Sequence, residues 1–217
     1  MTETAQQQRS ASTIDLVAGR LCLDYLNTVA WRAGEGVEEQ EEVLRTYADL
    51  VAWARHADAL TADEAERLRT AGARRPVEAA AMLARAIALR ETLYRIFTAA
   101  RRGQVADPRD LAAFNEALAR TLAQARIASD AGGYTWTWSG EGDELDRMLW
   151  PVVRSTAEML TSATELGQIR VCAGERCDWL FLDTSRNHRR RWCRMDACGN
   201  RAKARRHYQR QRAGEAR

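Results

Sequence analysis

The sequence has few prolines, three among 217 residues, and a single lysine, Lys203. No apolar run approaches the roughly 18 to 20 residues that span a bilayer, which excludes an integral membrane protein. Residues 1–10 are polar and lack an apolar core segment, so no secretory signal is expected. With 46% hydrophobic and 29% charged residues, the composition is that of a folded globular chain. We expect a cytoplasmic protein.

Positive charge is concentrated at one end of the chain. Residues 168–217 contain fourteen Lys or Arg against five Asp or Glu, a balance of +9, whereas residues 1–167 contain nineteen against twenty-five, a balance of −6. The two balances combine to the net charge of +3. An acidic body joined to a basic module indicates that the module binds a polyanion. The alternative for the basic residues is a solvated tail.

Hydrophobic spacing predicts a mainly α-helical N-terminal domain over residues 14–167, after a mobile polar arm at residues 1–13. One helix is expected from Leu21 to Val29, and a second from Val43 to Ala54. Capping residues predict where the next three helices begin. These signals are the Thr61–Glu64 capping box, Pro76 at the start of a helix that ends at Gly103, and the pair Asp107–Pro108. The expected buried faces are Leu83, Ile87, Tyr94 and Phe97 on the fourth helix and Leu111, Phe114, Leu118 and Leu122 on the fifth.

A small β-hairpin interrupts this helical pattern. Tyr134, Trp136 and Trp138 alternate with threonines, which is the period of a half-buried strand, and the preceding glycines favour a turn that pairs this strand with residues 125–128. Such a ribbon needs a helix to pack on. The helical pattern then returns over residues 143–164, where Pro151 must kink the helix or begin a new one.

The body contains no arrangement of residues that predicts catalysis. It has no phosphate-binding glycine loop and no His-Glu-x-x-His pair, and Cys22 lies in an apolar stripe as a small core residue would. We therefore expect a protein that is not an enzyme. Asp24 and Asn27 lie one turn apart on the first helix. They are candidates to line an effector pocket, and the alternative is that they brace neighbouring backbone.

Four of the five cysteines lie in the basic segment, as Cys172-x4-Cys177 and Cys193-x4-Cys198 separated by fifteen residues. In a cytoplasmic chain, clustered cysteines are more typical of metal binding than of disulfides. Four thiolates suit tetrahedral Zn²⁺ and leave no open position, which predicts one structural zinc ion. The alternative is four unpaired structural cysteines.

The residues around these cysteines predict an α+β module of treble-clef type over residues 168–217. Residues 179–184 have the pattern of a strand, residues 185–188 that of a turn, and residues 189–192 that of the partner strand. Asp196 is then expected to cap a basic helix whose first turn supplies Cys198, because backbone N–H groups and the helix dipole stabilise a thiolate there. We expect Trp179, Phe181, Trp192 and Tyr208 to form the small core of the module.

Two motifs resemble a known family. The segment from Cys172 to Arg205, with the tetrapeptide Cys198-Gly199-Asn200-Arg201, closely resembles the CGNR zinc finger. The segment Gly19-Arg-Leu-Cys-Leu-Asp-Tyr-Leu-Asn-Thr28 is similar to the start of the ABATE domain, which accompanies this finger in bacterial proteins described as stress-induced transcription regulators. The resemblance implies a DNA-binding regulator of the stress response. His188 departs from the family pattern, which has a glycine in the hairpin turn.

Two classes of function follow from the basic module. The first is a zinc-dependent transcription regulator that binds duplex DNA, is associated with the nucleoid, and has an N-terminal domain that senses an unknown effector or forms a homodimer. The second is an RNA- or ribosome-associated zinc protein, because four-cysteine modules with basic helices also bind folded RNA. Broad coverage of the helix by cations favours phosphate contacts, with Arg201 and Arg205 as candidates to read bases. The predicted nucleic-acid-binding residues are Arg189, Arg190, Arg191, Arg201, Lys203, Arg205, Arg206 and Arg210.

Overall fold

The computed structural model describes residues 10–30, 41–140, 142–175 and 177–215. Its helices are α1 (Leu21–Leu26), α2 (Tyr47–His56), α3 (Ala62–Arg74), α4 (Pro76–Arg101), α5 (Pro108–Gln124), α6 (Leu149–Leu160), α7 (Ala163–Gln168), a π-helical turn (Met195–Gly199) and α8 (Asn200–Glu215). Its strands are β1 (Val29–Ala30), β2 (Glu41–Glu42), β3 (Ala125–Asp130), β4 (Gly133–Trp138), β5 (Ile169–Val171) and β6 (Leu180–Leu182). The strands form three antiparallel pairs, β1–β2, β3–β4 and β5–β6. The predicted mainly α domain followed by a small α+β module is confirmed.

The short helix α1 lies at the centre of the core. Cys22, Leu23, Tyr25 and Leu26 are all fully buried on it, because α4, α6 and β6 surround the helix. Burial raises the pKa of the Cys22 thiol to about 11, which keeps this side chain neutral and unreactive as a small core residue. The first helix is shorter than predicted, since Val29 belongs to β1 rather than to α1.

Capping side chains determine where the helices begin. Thr61 and Glu64 form the predicted capping box of α3, and Pro76 and Pro108 occupy the first positions of α4 and α5. The prediction that α2 begins at Val43 is wrong, because Thr46 forms a capping box with Asp49 and α2 begins only at Tyr47. Each of these boxes satisfies N–H groups that the first turn leaves free.

The buried faces of α4 and α5 differ from the predicted ones. On α4 the core side chains are Met82, Ala86, Leu93, Ile96 and Phe97, while Leu83, Ile87 and Tyr94 are half-buried. On α5 the core side chains are Phe114 and Ala117, and both Leu111 and Leu122 are exposed. Both helices carry more apolar residues than one face can hold, so spacing alone did not identify the side that the neighbouring helices cover.

The predicted hairpin forms, with Ile127 opposite Trp136 and Ala125 opposite Trp138. The helix on which it packs is α6, where the ring centroids of Trp138 and Trp150 lie 5.7 Å apart. Pro151 lies in the first turn of α6, where no backbone hydrogen bond is lost, so it begins a new helix rather than kinking a longer one.

Residues 10–13 are part of the folded body. They form a turn in which Ile14 N–H donates to Ser10 O at 3.0 Å, and Ala11 and Ile14 are buried in the core. The predicted polar arm therefore does not include residues 10–13, and residues 1–9 lie outside the described residues. None of the helices within the described ranges is long and apolar enough to cross a membrane.

The most deeply buried arginine among the described residues is Arg90. Arg90 on α4 is 2% exposed and donates to both carboxylate oxygens of Glu42, at 2.8 and 2.6 Å, and to the Thr28 hydroxyl at 3.0 Å. Its Nε also donates to Glu91. Because Thr28 and Glu42 flank the β1–β2 pair, this single guanidinium fixes that pair to α4.

Replacing Arg90 with leucine should lower the free energy of unfolding by about 3 to 5 kcal/mol, because Glu42 loses its partner in a half-buried site. Urea unfolding followed by circular dichroism measures the change. The matched control is Arg69→Leu, which removes an exposed ion pair with Glu66 on α3 and should leave the urea midpoint unchanged. Equal effects of the two changes would contradict a structural role for Arg90.

Candidate metal centre and nucleic-acid interface

The structure brings together the four cysteines that the sequence predicted as metal ligands. Cys172, Cys177, Cys193 and Cys198 are all buried, and their sulfur atoms lie within 4.8 Å of one another. The distances from Cys193 Sγ to the sulfurs of Cys177 and Cys198 are both 3.7 Å. A tetrahedron with Zn–S bonds of about 2.3 Å has an edge of about 3.8 Å, so the geometry fits one zinc ion.

Electrostatics support the same conclusion. The pKa of Cys198 lies far below its ordinary value because the other three thiols donate hydrogen bonds to its sulfur, while that of Cys177 is raised because it lies beside those sulfurs in a buried site. Four thiols this close cannot all ionise without a cation to neutralise them. A dication in their midst replaces the shared protons, which makes this a structural zinc site with no open position.

Groups behind the cysteines orient the sulfur atoms. Cys172 Sγ accepts from the N–H groups of Gly174 and Cys193, at 3.4 and 3.3 Å. Arg201 Nη2 donates to Cys198 Sγ at 3.3 Å. Such donors reduce the negative charge of a thiolate centre and hold its ligands in place.

Close packing explains one glycine of the site that sequence reasoning missed. A Cβ on Gly174 would lie 3.1 Å from Cys198 Sγ and 3.2 Å from Cys177 Cβ. A Cβ on Gly199, which belongs to the CGNR tetrapeptide, would meet the flexible side chain of Met195 and not the cysteine sulfurs. The side-chain amide of Asn200, the next residue of that tetrapeptide, donates to Asp196 O within its own helical turn.

Two family models match the chain. Residues 19–163 match ABATE, described as putative stress-induced transcription regulator, and residues 168–211 match the CGNR zinc finger. This chain belongs to the ABATE family and carries a CGNR zinc finger. No curated protein matches it. The resemblance inferred from the sequence is therefore confirmed, as is one structural zinc ion.

The strand pairing inside the CGNR finger differs from the prediction. Strand β6 pairs with β5, in the register Val171 with Leu180 and Ile169 with Leu182, and not with residues 189–192. Residues 189–192 instead contact the first knuckle, which is the loop that carries Cys172 and Cys177. There Ala173 N–H donates to Arg191 O at 2.8 Å. The turn before it is fixed by Asp183, whose carboxylate accepts from the N–H groups of Ser185 and Arg190.

His188 adopts the conformation that a glycine would occupy in this turn. Its φ is +48°, in the left-handed region that favours glycine. The imidazole Nδ1 lies 2.9 Å from Asp183 O, and this hydrogen bond compensates for the backbone strain. His188 thus meets the backbone requirement of the position at which the family pattern has glycine.

The outer edge of β6 is bound by the ABATE domain. Asn27 is 1% exposed, and its side chain accepts from Leu180 N–H at 3.0 Å and donates to Leu180 O at 2.8 Å. Leu182 N–H donates to Ala18 O at 2.9 Å. Asp24 Oδ1 accepts from Ala18 N–H at 3.0 Å, and burial raises the pKa of this carboxyl to about 6. Asp24 and Asn27 therefore brace neighbouring backbone. This was the alternative to a role in an effector pocket.

Arg190 was predicted to contact nucleic acid, but the structure turns it inward. Its Nε donates to Trp192 O at 3.0 Å, its Nη2 donates to Cys193 O, and the guanidinium lies 4.4 Å from the centroid of the Phe181 ring. These contacts hold the segment before Cys193. Arg190 is thus a structural residue of the finger.

Other cations of the finger pair with acidic groups. Arg194 bonds both Asp196 and Asp15, which precedes the ABATE match, so Asp196 does not cap the following helix as predicted. Arg205 pairs with Glu175 of the first knuckle. Arg201 and Arg205, the expected base-reading residues, contact Cys198 Sγ and Glu175 respectively. Trp179 and Phe181 form the core of the finger with Trp192 packed on it, whereas Tyr208 is exposed on α8.

We expect the purified protein to contain one zinc ion per chain by elemental analysis. Removal of the zinc, or Cys193→Ser, should expose the amides of residues 172–178 and 184–199 and of α8 to hydrogen exchange, because these segments have little other apolar contact. Strands β5 and β6 and the ABATE helices should keep their protection. Absence of zinc, or unchanged exchange in Cys193→Ser, would overturn this assignment.

Replacing Asn27 with alanine should destabilise the protein by about 2 to 4 kcal/mol, because the N–H and C=O of Leu180 are left buried without partners. The measurement is urea unfolding of the zinc-loaded protein. Asn115→Ala, on the exposed face of α5, is the control and should leave the midpoint in place. If the two variants unfold alike, Asn27 does not brace β6.

Proposed function

We propose that this protein is a DNA-binding transcription regulator whose CGNR finger contacts duplex DNA through α8 while the ABATE domain senses an effector or forms a dimer. The observation that carries this proposal is the exposure of α8. All side chains from Lys203 to Arg212 are exposed, and the helix is held at its N-terminal end by the π-helical turn and the first knuckle. A basic helix that packs against so little of its own protein is available to a partner.

The charge along α8 favours a polyanion. Its first thirteen residues carry six cations and no Asp or Glu, namely Arg201, Lys203, Arg205, Arg206, Arg210 and Arg212. Like charges one turn apart, such as Arg206 and Arg210, weaken an isolated helix by about 0.2 to 0.5 kcal/mol per pair. Phosphate groups would remove this repulsion, so the helix is more stable in a complex than alone.

The dimensions of α8 suit the major groove. Sixteen residues span about 24 Å at 1.5 Å per residue, and a helix fits a groove roughly 12 Å wide. Because Arg201 and Arg205 are held at the zinc end, the outer cations Lys203, Arg206 and Arg210 are the ones available for DNA. Arg189 and Arg191 are exposed beside the knuckle and supply further phosphate contacts.

We also propose that the protein has no catalytic activity. The groups with the largest pKa shifts in the described part of the ABATE domain are Cys22, Tyr25, Tyr47 and Asp24. Burial causes each shift, and Tyr25, Tyr47 and Asp24 bond backbone groups of the fold. None of the four is a nucleophile or a base poised at a cleft.

Fluorescence anisotropy with a random 20-base-pair duplex and with a structured RNA hairpin tests the proposal. If about five cations meet phosphates, log affinity for DNA should fall with log salt at a slope near −4.5, since each contact contributes about −0.9. Arg206→Gln and Arg210→Gln should each make the slope shallower by about one unit. The charge-matched control is Arg109→Gln, which lies exposed on α5 and should leave the slope unchanged.

Selection from a random duplex pool then separates the function classes. Enrichment of one sequence supports a regulator, and loss of that preference in an α8 variant identifies a base-reading residue at a cost of about 1 to 3 kcal/mol on the preferred site. Tighter binding of the RNA hairpin, or no salt-dependent DNA affinity in the folded, zinc-loaded protein, would overturn the proposal.

A further inference from the structure

A cavity of about 480 Å³ lies in the ABATE domain between α4, α5 and the start of α6. It lies outside the zinc centre and the basic helix, and none of the residues that sequence reasoning selected lines it. Its volume is within the roughly 300 to 1,000 Å³ of small-molecule sites in proteins. Small side chains on the facing helices, Ala88, Ala113 and Ala117, leave the space open.

The floor of this cavity is apolar and rigid. Met82, Leu149, Trp150 and Val153 are each at most 6% exposed and line its base. The Trp150 ring is held in place, because Trp138 packs at 5.7 Å between ring centroids and the Arg147 guanidinium lies 5.4 Å from the Trp150 centroid. A preformed apolar floor of this kind gains binding free energy from an apolar ligand without having to reorganise.

Four charged side chains line the rim, namely Arg85, Arg120, Glu116 and Asp146. Arg85 is exposed at the rim and forms no ion pair among the described residues, and its Nη2 lies 3.5 Å from the sulfur of Met82. Arg120, the second arginine of the rim, is already paired with Glu116 at 2.6 Å. Arg85 therefore offers the guanidinium that is free to pair with an anionic group, and guanidinium binds carboxylates through two parallel hydrogen bonds.

A threonine hydroxyl adds a polar contact inside the cavity. Thr121 is 3% exposed and lines the cavity, and its hydroxyl has no hydrogen-bond partner within the described ranges. By contrast Thr156, buried on α6, donates to Val152 O in its own helix. The Thr121 hydroxyl is therefore available to a bound molecule.

We propose that this cavity binds a small amphipathic carboxylate, with its apolar body on the floor formed by Met82, Leu149, Trp150 and Val153 and its carboxylate on Arg85. This carboxylate would be the effector of the proposed regulator, and only its regulatory role rests on the proposed function. Binding of the carboxylate does not require DNA, so the two proposals fail in separate experiments.

Fluorescence of 8-anilinonaphthalene-1-sulfonate, an apolar anion, is the first test on the zinc-loaded full chain. The probe should bind saturably at one site, and octanoate should displace it at a concentration at least tenfold lower than octanol or octylammonium. Displacement by octanol as effectively as by octanoate would overturn the assignment of a carboxylate. Absence of saturable binding would overturn the site itself.

Two pairs of variants locate the site. Ala117→Leu fills the cavity from α5 and should abolish probe binding, whereas Ala112→Leu, on the exposed side of α5, should not. Arg85→Gln should weaken octanoate at least tenfold and leave octanol unchanged, whereas Arg101→Gln, exposed at the end of α4, should change neither. Circular dichroism checks that Ala117→Leu is folded, and if it is not, the Arg85 pair alone decides. Equal behaviour of Arg85→Gln and Arg101→Gln would refute the proposal.

Discussion

The edge of strand β6 is the constraint on which the arrangement of this protein depends. A three-residue strand paired on one side only leaves backbone groups exposed on the other, and such an edge is unstable when it is buried without partners. Here the side-chain amide of Asn27 and the carbonyl of Ala18 complete the edge at Leu180 and Leu182. Because β6 leads out of the first knuckle, the ABATE domain directly supports the scaffold of the zinc site.

The zinc site needs support from both sides. Its ligands come from two knuckles, and the second carries Cys193 and Cys198. This second knuckle is positioned by the inward guanidinium of Arg190 and by the pairing of Arg194 with Asp15. The metal neutralises four sulfur atoms that repel one another when charged, and the surrounding N–H groups share that charge. The finger is thus stabilised by metal coordination inside it and by polar contacts with residues between Asp15 and Asn27.

Structural features that depend on a few neighbouring residues were predicted correctly from the sequence. The capping box at Thr61, the starts at Pro76 and Pro108, the hairpin from Ala125 to Trp138 and the four ligands are all local patterns with one physical interpretation. The partner of β6 and the role of Arg190 were not predictable in this way. The outer edge of β6 is completed by Ala18 and Asn27, more than 150 positions away in the sequence, and an arginine bound to carbonyl groups has the same sequence pattern as one free for phosphate.

The attachment of β6 to the end of α1 constrains the distance between the two α8 helices in any dimer of this protein. A finger on a flexible linker adapts to DNA half-sites at many separations, because the linker absorbs the difference. Here the finger is fixed to the ABATE domain by backbone hydrogen bonds, so the separation of two α8 helices is set by the contact between the bodies. Half-site spacing would then be a property of the ABATE surface, and a change of one base pair between half-sites would rotate one α8 helix by about a tenth of a turn away from its groove.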